Sequence, residues 1–140
     1  MQLQATARDR VVALTTMCFD IAGLEIWLPL VAGGAVLIAS REEAMDPELL
    51  SDFVKTQEPT IMQATPTTWR MLLRFGWAGR KGLKALCGGE ALPIELKEDL
   101  MKRVGALWCG ALALCGAWRA LSCFESARAR PGCANCGMGG

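Results

Sequence analysis

Two stretches of the chain decide its fold: FDIAGLE at residues 19–25 and LCGGEALP at residues 86–93. Each stands where an apolar, strand-like run gives way to a helical pattern. In open α/β sheets, ligand-binding groups gather at the carboxyl ends of the strands. The first stretch places a carboxylate at such a junction, and the second places two glycines and a carboxylate there. Both junctions are therefore candidate parts of one ligand-binding site.

The segments around these junctions alternate between strand and helix patterns. Strands are predicted at residues 11–16, 35–39, 60–64, 83–87 and 106–108. Helices are predicted after Asp20, after the Asp46-Pro47 pair, and at residues 66–75 and 94–104, with a basic loop at residues 79–82. Five strand segments separated by four helices indicate parallel βαβ units, so the predicted fold class is α/β.

The first helix has a mixed pattern. Asp20 is a suitable N-cap, and an apolar stripe follows at Ile21, Leu24, Leu28 and Val31. Pro29 lies within this segment, and a proline inside a helix removes a backbone hydrogen bond. We therefore expect a kink or a break in the helix, which should end at the Gly33-Gly34 pair.

Composition narrows the class of protein. The 140 residues are 52% hydrophobic and carry a formal net charge of +1, which suits one globular domain or a piece of one. A nucleic-acid partner would require a basic face. The apolar run at residues 26–39 is interrupted and too short to span a bilayer, and no signal peptide is recognisable. We expect a cytoplasmic protein with neither a nucleic-acid nor a membrane partner.

The composition changes abruptly near Trp108. Five of the seven cysteines fall in residues 109–140, a segment that contains no lysine and a single acidic residue. We predict an α/β domain at residues 1–108 and an unrelated, poorly ordered tail at residues 109–140. A shifted reading frame or a misjoined gene model would explain such a tail, and a divergent but genuine extension is the alternative.

Three candidate site positions each have a structural and a functional interpretation. Asp20 is either only a helix cap or a carboxylate that faces the cleft and pairs with a substrate ammonium group. The Gly88-Gly89 pair is either a tight turn or a place where a ligand approaches the backbone closely. Gln63 is polar within an apolar strand, so it either has a buried partner or points into a cavity.

Together these residues resemble the amino-acid adenylation domains of nonribosomal peptide synthetases, within the adenylate-forming, AMP-binding superfamily. Phe19 and Asp20, followed by a helix with Glu25, are similar to the family motif whose aspartate grips the α-amino group of the amino acid. Residues 64–67 resemble the next strand-to-helix junction, and residues 83–93 resemble the segment that lies against the adenine ring. The similarity covers about residues 8–108 with agreeing spacings.

The resemblance implies a fold, a reaction and a set of binding residues. The fold would be part of the N-terminal core of an adenylate-forming enzyme. The complete domain would use Mg²⁺ and ATP to convert an amino acid to an aminoacyl adenylate and pass it to a peptidyl carrier protein. Adenine would lie against Gly88, Gly89, Glu90 and Ala91. The amino-acid pocket would be lined by Asp20, Ile21, Leu24, Gln63, Leu86 and Gly88. This combination of residues resembles the lining of glycine-activating domains. The physical argument agrees, because four of the side chains are bulky and would fill the space that a substrate side chain needs.

The chain also departs from the family. The phosphate loop would lie upstream of residue 1, and the Tyr-Gly-Pro-Thr-Glu motif that helps to hold Mg²⁺ should follow Trp108, where Cys109-Gly110-Ala111-Leu112 stands instead. The ribose-binding aspartate and the catalytic lysine are missing as well. Because phosphoryl chemistry depends on positioning and charge neutralisation, we assign no catalytic residue and no metal ligand here. We expect the isolated chain to be inactive and to retain no cofactor.

Three other classes compete with this interpretation. A nucleotide-binding module could use the same cleft without catalysis. A metal or redox protein could be built on Cys133 and Cys136, although one C-x-x-C pair in a chain without histidine is a weak zinc signal. An acyl-CoA or aryl-acid ligase would give Asp20 no amino group to pair with.

Overall fold

The computed structural model describes residues 5–19, 21–109 and 125–126. The elements in chain order are β1 (Arg10–Ala13), α1 (Ala22–Ala32), β2 (Ala35–Ile38), α2 (Arg41–Met45), α3 (Pro47–Gln57), β3 (Ile61–Ala64), α4 (Pro66–Phe75), β4 (Arg80–Cys87), α5 (Ile94–Arg103), β5 (Val104–Cys109) and β6 (Glu125–Ser126). Within this part of the chain, no helix is long and apolar enough to cross a bilayer.

The strands form one sheet in the order β2-β1-β3-β4-β5-β6. The first five are parallel to their neighbours, and β6 is antiparallel to β5. The predicted α/β class with parallel units is therefore confirmed. Because β1, β3 and β4 are adjacent, the segments that leave their carboxyl ends meet at one edge of the sheet.

Helices cover both faces of the sheet. On one face, Leu24 of α1 packs with strand residues Val11, Ile61, Leu86 and Trp108. The larger cluster on the other face combines the alternate strand positions with residues of α3, α4 and α5: Leu50, Val54, Trp69, Leu72, Leu96 and Leu100. Neighbouring strand residues such as Val11 and Val12 thus point to opposite faces, which is the period-2 pattern of a sheet that is buried on both sides.

Helix α1 differs from its predicted form in two respects. It continues through Pro29 without a break, and its N-cap position is Ile21, which makes no side-chain capping bond. Asp20 lies outside the described residues. Val31, the last member of the apolar stripe, is 73% exposed and lies outside the buried face of the helix. Glu25, one turn after Ile21, is buried instead. The predicted stop is correct, since Gly33 ends the helix with a φ of 75°.

Two other boundaries differ from the prediction. Strand β1 ends at Ala13 rather than at residue 16, and β4 begins at Arg80, within the predicted loop. The short helix α2 was not predicted, although Ser40 and Glu43 form the capping box that its sequence encodes. The sequence also predicted a boundary after Trp108. Strand β5 continues to Cys109, and Glu125–Ser126 pairs with it. Residues 110–124 and 127–140 lie outside the described part, so the poorly ordered tail stays a prediction.

The amino end of the sheet is held by a buried carboxylate, Asp9. It accepts hydrogen bonds from the Thr60 hydroxyl at 2.7 Å and from the Thr6 backbone N–H at 2.8 Å, and Lys84 Nζ lies 3.2 Å away. Burial by itself would raise the pKa of Asp9, but these hydrogen bonds outweigh it and lower the pKa below its usual value. The ionised carboxylate therefore stabilises the fold.

We expect Asp9→Asn to lower the free energy of unfolding at neutral pH by roughly 1.5–3 kcal/mol, the range for hydrogen bonds to a charged group. Because the folded-state pKa is depressed, this contribution is present above the unfolded-state pKa and is lost as the pH falls through the folded-state value. Urea unfolding at several pH values should therefore show the two proteins converging in acid. Asp52→Asn, at an exposed position of α3, is the control and should leave the pH dependence unchanged.

Candidate functional site

The carboxyl ends of β3 and β4 carry two of the candidate site residues. Gln63 is the penultimate residue of β3, and Gly88 directly follows β4. The Gly88 backbone N–H donates to the Ala64 carbonyl at 3.4 Å, which ties the two strand ends together. Ile21 stands at the start of α1, which follows the neighbouring strand β1. The position of Asp20 lies outside the described residues.

A row of three side chains crosses the sheet beneath α1. Gln63 is in register with Leu86, and Leu86 is in register with Trp108. Residues in register on parallel strands point to the same face, and this is the face that Leu24 of α1 covers. Leu24 and Leu86 are both buried in this cluster. The bulky candidates therefore form one continuous wall.

Gln63 is 1% exposed and has its buried partners on α1. Its Nε2 donates to the Ile21 carbonyl at 3.0 Å and to Glu25 Oε1 at 3.3 Å. No donor among the described residues reaches Gln63 Oε1, and Trp108 Nε1 in the same row has no acceptor there. The sequence left open whether Gln63 has a buried partner or points into a cavity. Its Nε2 has buried partners, whereas its Oε1 is a buried acceptor without a donor in this part of the chain.

Glu25 is fully buried and connects three elements. Its Oε2 accepts from the backbone N–H groups of Leu14 at 2.8 Å and Thr15 at 2.9 Å, and its Oε1 accepts from the Thr15 hydroxyl at 2.6 Å and from Gln63. Burial raises the pKa of Glu25, although these hydrogen bonds oppose the shift. The carboxylate fastens the end of β1 to α1 and β3.

The sequence interpretation gave Glu25 no structural role beyond its motif. A signal was available, because Glu25 lies four residues after Ile21 and three before Leu28, which places it on their helix face. An acidic residue inside an apolar stripe requires donors. Leu14 and Thr15 supply them by leaving the strand ladder, which explains why β1 ends at Ala13 and not at residue 16.

An open cavity of about 410 Å³ lies at the start of α1. Its lining includes residues from the end of β1, the start of α1, the first turn of α4 and the loop with Gly88 and Gly89 that follows β4. Among them are Thr15, Ile21, Thr65 and Gly89, whereas the buried residues Leu24, Gln63 and Leu86 do not line it. Gly89 has a φ of 85°, a left-handed conformation that other residues adopt at a cost. The cavity therefore has a backbone wall that a planar ligand can approach.

The loop after Gly89 is fixed to α4. Glu90 accepts a hydrogen bond from the Thr67 hydroxyl at 2.9 Å, close to the N-terminus of that helix. Glu90 and Ala91 are exposed. Of the candidate nucleotide-binding positions, Gly89 lines the cavity, and a side-chain hydrogen bond ties the next residue, Glu90, to α4.

Metal ligands are not evident in the part of the chain that the structure describes. No group of three or more histidine, cysteine, aspartate or glutamate side chains is placed there to hold a metal ion. The alternative metal pair, Cys133 and Cys136, lies outside that part.

Comparison with known proteins connects this geometry to a family. A family model described as AMP-binding enzyme matches residues 1–114. A dimodular nonribosomal peptide synthase of Bacillus subtilis is 42% identical over 92 residues, which are 66% of this chain and 4% of that protein. A PKS-NRPS hybrid synthetase of Aspergillus candidus is 36% identical over 103 residues, which are 73% of this chain and 4% of that protein.

A solved structure agrees with the sequence matches. The crystal structure of a four-domain nonribosomal peptide synthetase bound to AMP and glycine superimposes with a TM-score of 0.74 at 44% identity, over 77% of this chain and 8% of that one. The chain thus spans 4–8% of the length of these relatives. It belongs to the AMP-binding enzyme family and corresponds to a segment of the adenylation domain of a nonribosomal peptide synthetase.

Proposed function

We propose that this segment supplies the amino-acid pocket and the adenine-binding loop of a domain that activates glycine. The complete domain would join the glycine carboxylate to the α-phosphate of ATP and release pyrophosphate. It would then transfer the glycyl group to the thiol of a peptidyl carrier protein. The observation that carries the proposal is the continuous wall of Leu24, Gln63 and Leu86 under the start of α1.

The bulk of these side chains favours a substrate without a side chain. Leu24, Leu86 and Gln63 are all buried, and Ile21 is held against Gln63 by its carbonyl group. A pocket that its own side chains fill excludes larger substrates by steric clash. The synthetase that is 44% identical is described as bound to AMP and glycine, which supports the same choice.

Asp20 would recognise the amino group. It directly precedes Ile21, the residue that joins α1 to Gln63. A carboxylate at this position would form a charge-assisted hydrogen bond with the substrate ammonium, which is stronger than a neutral one. Its role is a proposal that rests on the family motif.

Gly88, Gly89, Glu90 and Ala91 would hold adenine. The left-handed conformation of Gly89 and its position on the cavity wall let a planar ring approach the backbone. The bond from Thr67 to Glu90 would keep this loop in place while the nucleotide binds. No step through Mg²⁺ is assigned to these residues.

A transplant tests this function. Residues 8–108 would replace the matching segment of a related adenylation domain that does not prefer glycine. Glycine-dependent exchange of pyrophosphate into ATP should then exceed exchange with alanine or larger amino acids. A transplant that ignores glycine would contradict the proposal. The unmodified chain should show no exchange with any amino acid, whereas measurable affinity for an adenylate analogue would indicate a binding module.

The wall itself gives a second prediction. In the transplanted domain, Leu24→Ala or Leu86→Ala should open space beside the amino acid and shift the preference from glycine toward alanine. We expect a change of roughly 10- to 200-fold in relative kcat/KM, the range for one methylene-sized difference in a pocket.

Leu100→Ala is the matched control for this prediction. Leu100 is equally buried but belongs to the cluster on the opposite face of the sheet. It should lower stability without changing the preference. An equal shift of preference in all three variants would mean that loosened packing, and not the wall, controls selectivity.

A further inference from the structure

We propose that Glu25 is a positioning residue: it fixes the side-chain amide of Gln63 so that Oε1 is offered as a hydrogen-bond acceptor to an N–H group of the bound amino acid. The acceptor role rests on the proposed function, whereas the positioning role does not.

The orientation of the Gln63 amide follows from its partners. The Ile21 carbonyl lies 3.0 Å from Nε2, and the Glu25 carboxylate oxygen lies 3.3 Å from it. Both groups can only accept while Glu25 is ionised. The reverse orientation would place Oε1 against two acceptors. These contacts therefore show which end of the Gln63 amide is the nitrogen and which is the oxygen.

Glu25 is a rigid reference for this orientation. Its Oε2 is fixed by two backbone N–H groups, from Leu14 and Thr15, and the Thr15 hydroxyl holds Oε1. A carboxylate with three donors besides Gln63, buried among packed residues, has little freedom to turn. The end of β1 thus controls, through Glu25, the direction of a side chain on β3.

The remaining oxygen of Gln63 has a use. Native proteins leave few buried acceptors without a donor, and among the described residues none reaches Gln63 Oε1. The same amide group contacts Ile21, the residue next to Asp20 in the chain. An ammonium group carries three N–H donors, so one that pairs with Asp20 would still have N–H groups to donate to Gln63 Oε1.

The positioning role can be tested without a ligand, in the full 140-residue chain labelled with ¹⁵N. The two side-chain amide protons of Gln63 should exchange with solvent at least roughly tenfold more slowly than those of the half-buried Gln57, because both Gln63 protons are bonded inside the fold. Equally fast exchange would overturn the proposal, and this measurement requires no variant.

Glu25→Gln sharpens the test, because it keeps the volume and replaces one acceptor by a donor. The backbone N–H groups of Leu14 and Thr15 should retain the oxygen of the new amide, so its NH₂ group would face Gln63 Nε2. We expect the Gln63 signals to shift and to exchange at least roughly tenfold faster. Glu98→Gln, an exposed change on α5, should leave them unchanged. Unaltered Gln63 signals in a folded Glu25→Gln chain would refute the positioning role.

The acceptor role is tested with two isosteric probes, glycyl-sulfamoyl-adenosine and propionyl-sulfamoyl-adenosine, which carry an ammonium and a methyl group at the same position. Gln63→Met should weaken binding of the glycyl probe to the transplanted domain by roughly tenfold and leave the propionyl probe unaffected. Equal effects on both probes, or no effect on either, would overturn the acceptor role. The pyrophosphate exchange of the transplanted domain decides the proposed function separately.

Discussion

Trp69→Ala is expected to lower the free energy of unfolding by about 3–5 kcal/mol, the range for removing a large aromatic side chain from a core. Trp69 is 0% exposed and lies at the centre of the larger cluster. Its ring centroid is 5.9 Å from that of Trp77, and its Nε1 donates to the Leu86 carbonyl at 3.2 Å. The substitution would leave a cavity and a buried carbonyl with one donor fewer. Urea unfolding followed by circular dichroism measures the effect.

Two variants separate the loss of the hydrogen-bond donor from the loss of the buried ring. Trp69→Phe keeps most of the ring but removes the donor, so it should cost less than the alanine variant. Trp27→Ala removes the same side chain from α1, where it is 63% exposed, and should change stability by only about 0.5 kcal/mol. Equal losses at Trp27 and Trp69 would contradict the described core.

The alternation of strands and helices could be predicted because local chemistry controls it. Pro66 after Thr65 begins α4 as expected, with the Thr65 hydroxyl capping the Thr68 N–H. Asp46 likewise caps α3, accepting from the N–H groups of Glu48 and Leu49. Caps and proline act within one turn, so a linear pattern is enough to place them.

Boundaries that depend on distant partners could not be predicted in this way. Strand β1 has β-branched residues up to Thr16, but the N–H groups of Leu14 and Thr15 bind Glu25 on the following helix. Val31 satisfies the helical period, yet no part of the described chain covers it, and it is 73% exposed. Periodicity identifies apolar positions and does not specify what lies against them.

The candidate site was predictable to a similar extent. Gln63 was identified as a polar residue in an apolar strand, and Gly88 by its place between a strand and a helix, whereas Leu86 came from the family resemblance. The parallel order brings their two strands together, and their role in a site stays a prediction. The linear pattern gave no indication of the hydrogen bond from Gln63 to Glu25, because it joins residues 38 positions apart. Trp108 was taken only as part of a strand, and its place in the row with Gln63 follows from strand register.

In a complete domain that carries residues 8–108, Asp20→Ala should abolish most glycine-dependent pyrophosphate exchange. Removing one partner of a buried, hydrogen-bonded charge pair costs roughly 2–5 kcal/mol, which corresponds to about 30-fold to several thousand-fold in kcat/KM. The loss should appear with every amino acid, because each of them presents the same ammonium group.

Propionate supplies the matched control, since it resembles glycine in size and has no ammonium group. The unmodified transplant should discriminate strongly against propionate, and Asp20→Ala should reduce that discrimination by lowering activity with glycine alone. Asp52→Ala, at an exposed position of α3, should change neither activity. If propionate is activated as well as glycine before any substitution, Asp20 does not recognise the amino group of the substrate. The pocket would then be that of an acyl- or aryl-acid ligase, whose substrate has no ammonium group to pair with a carboxylate.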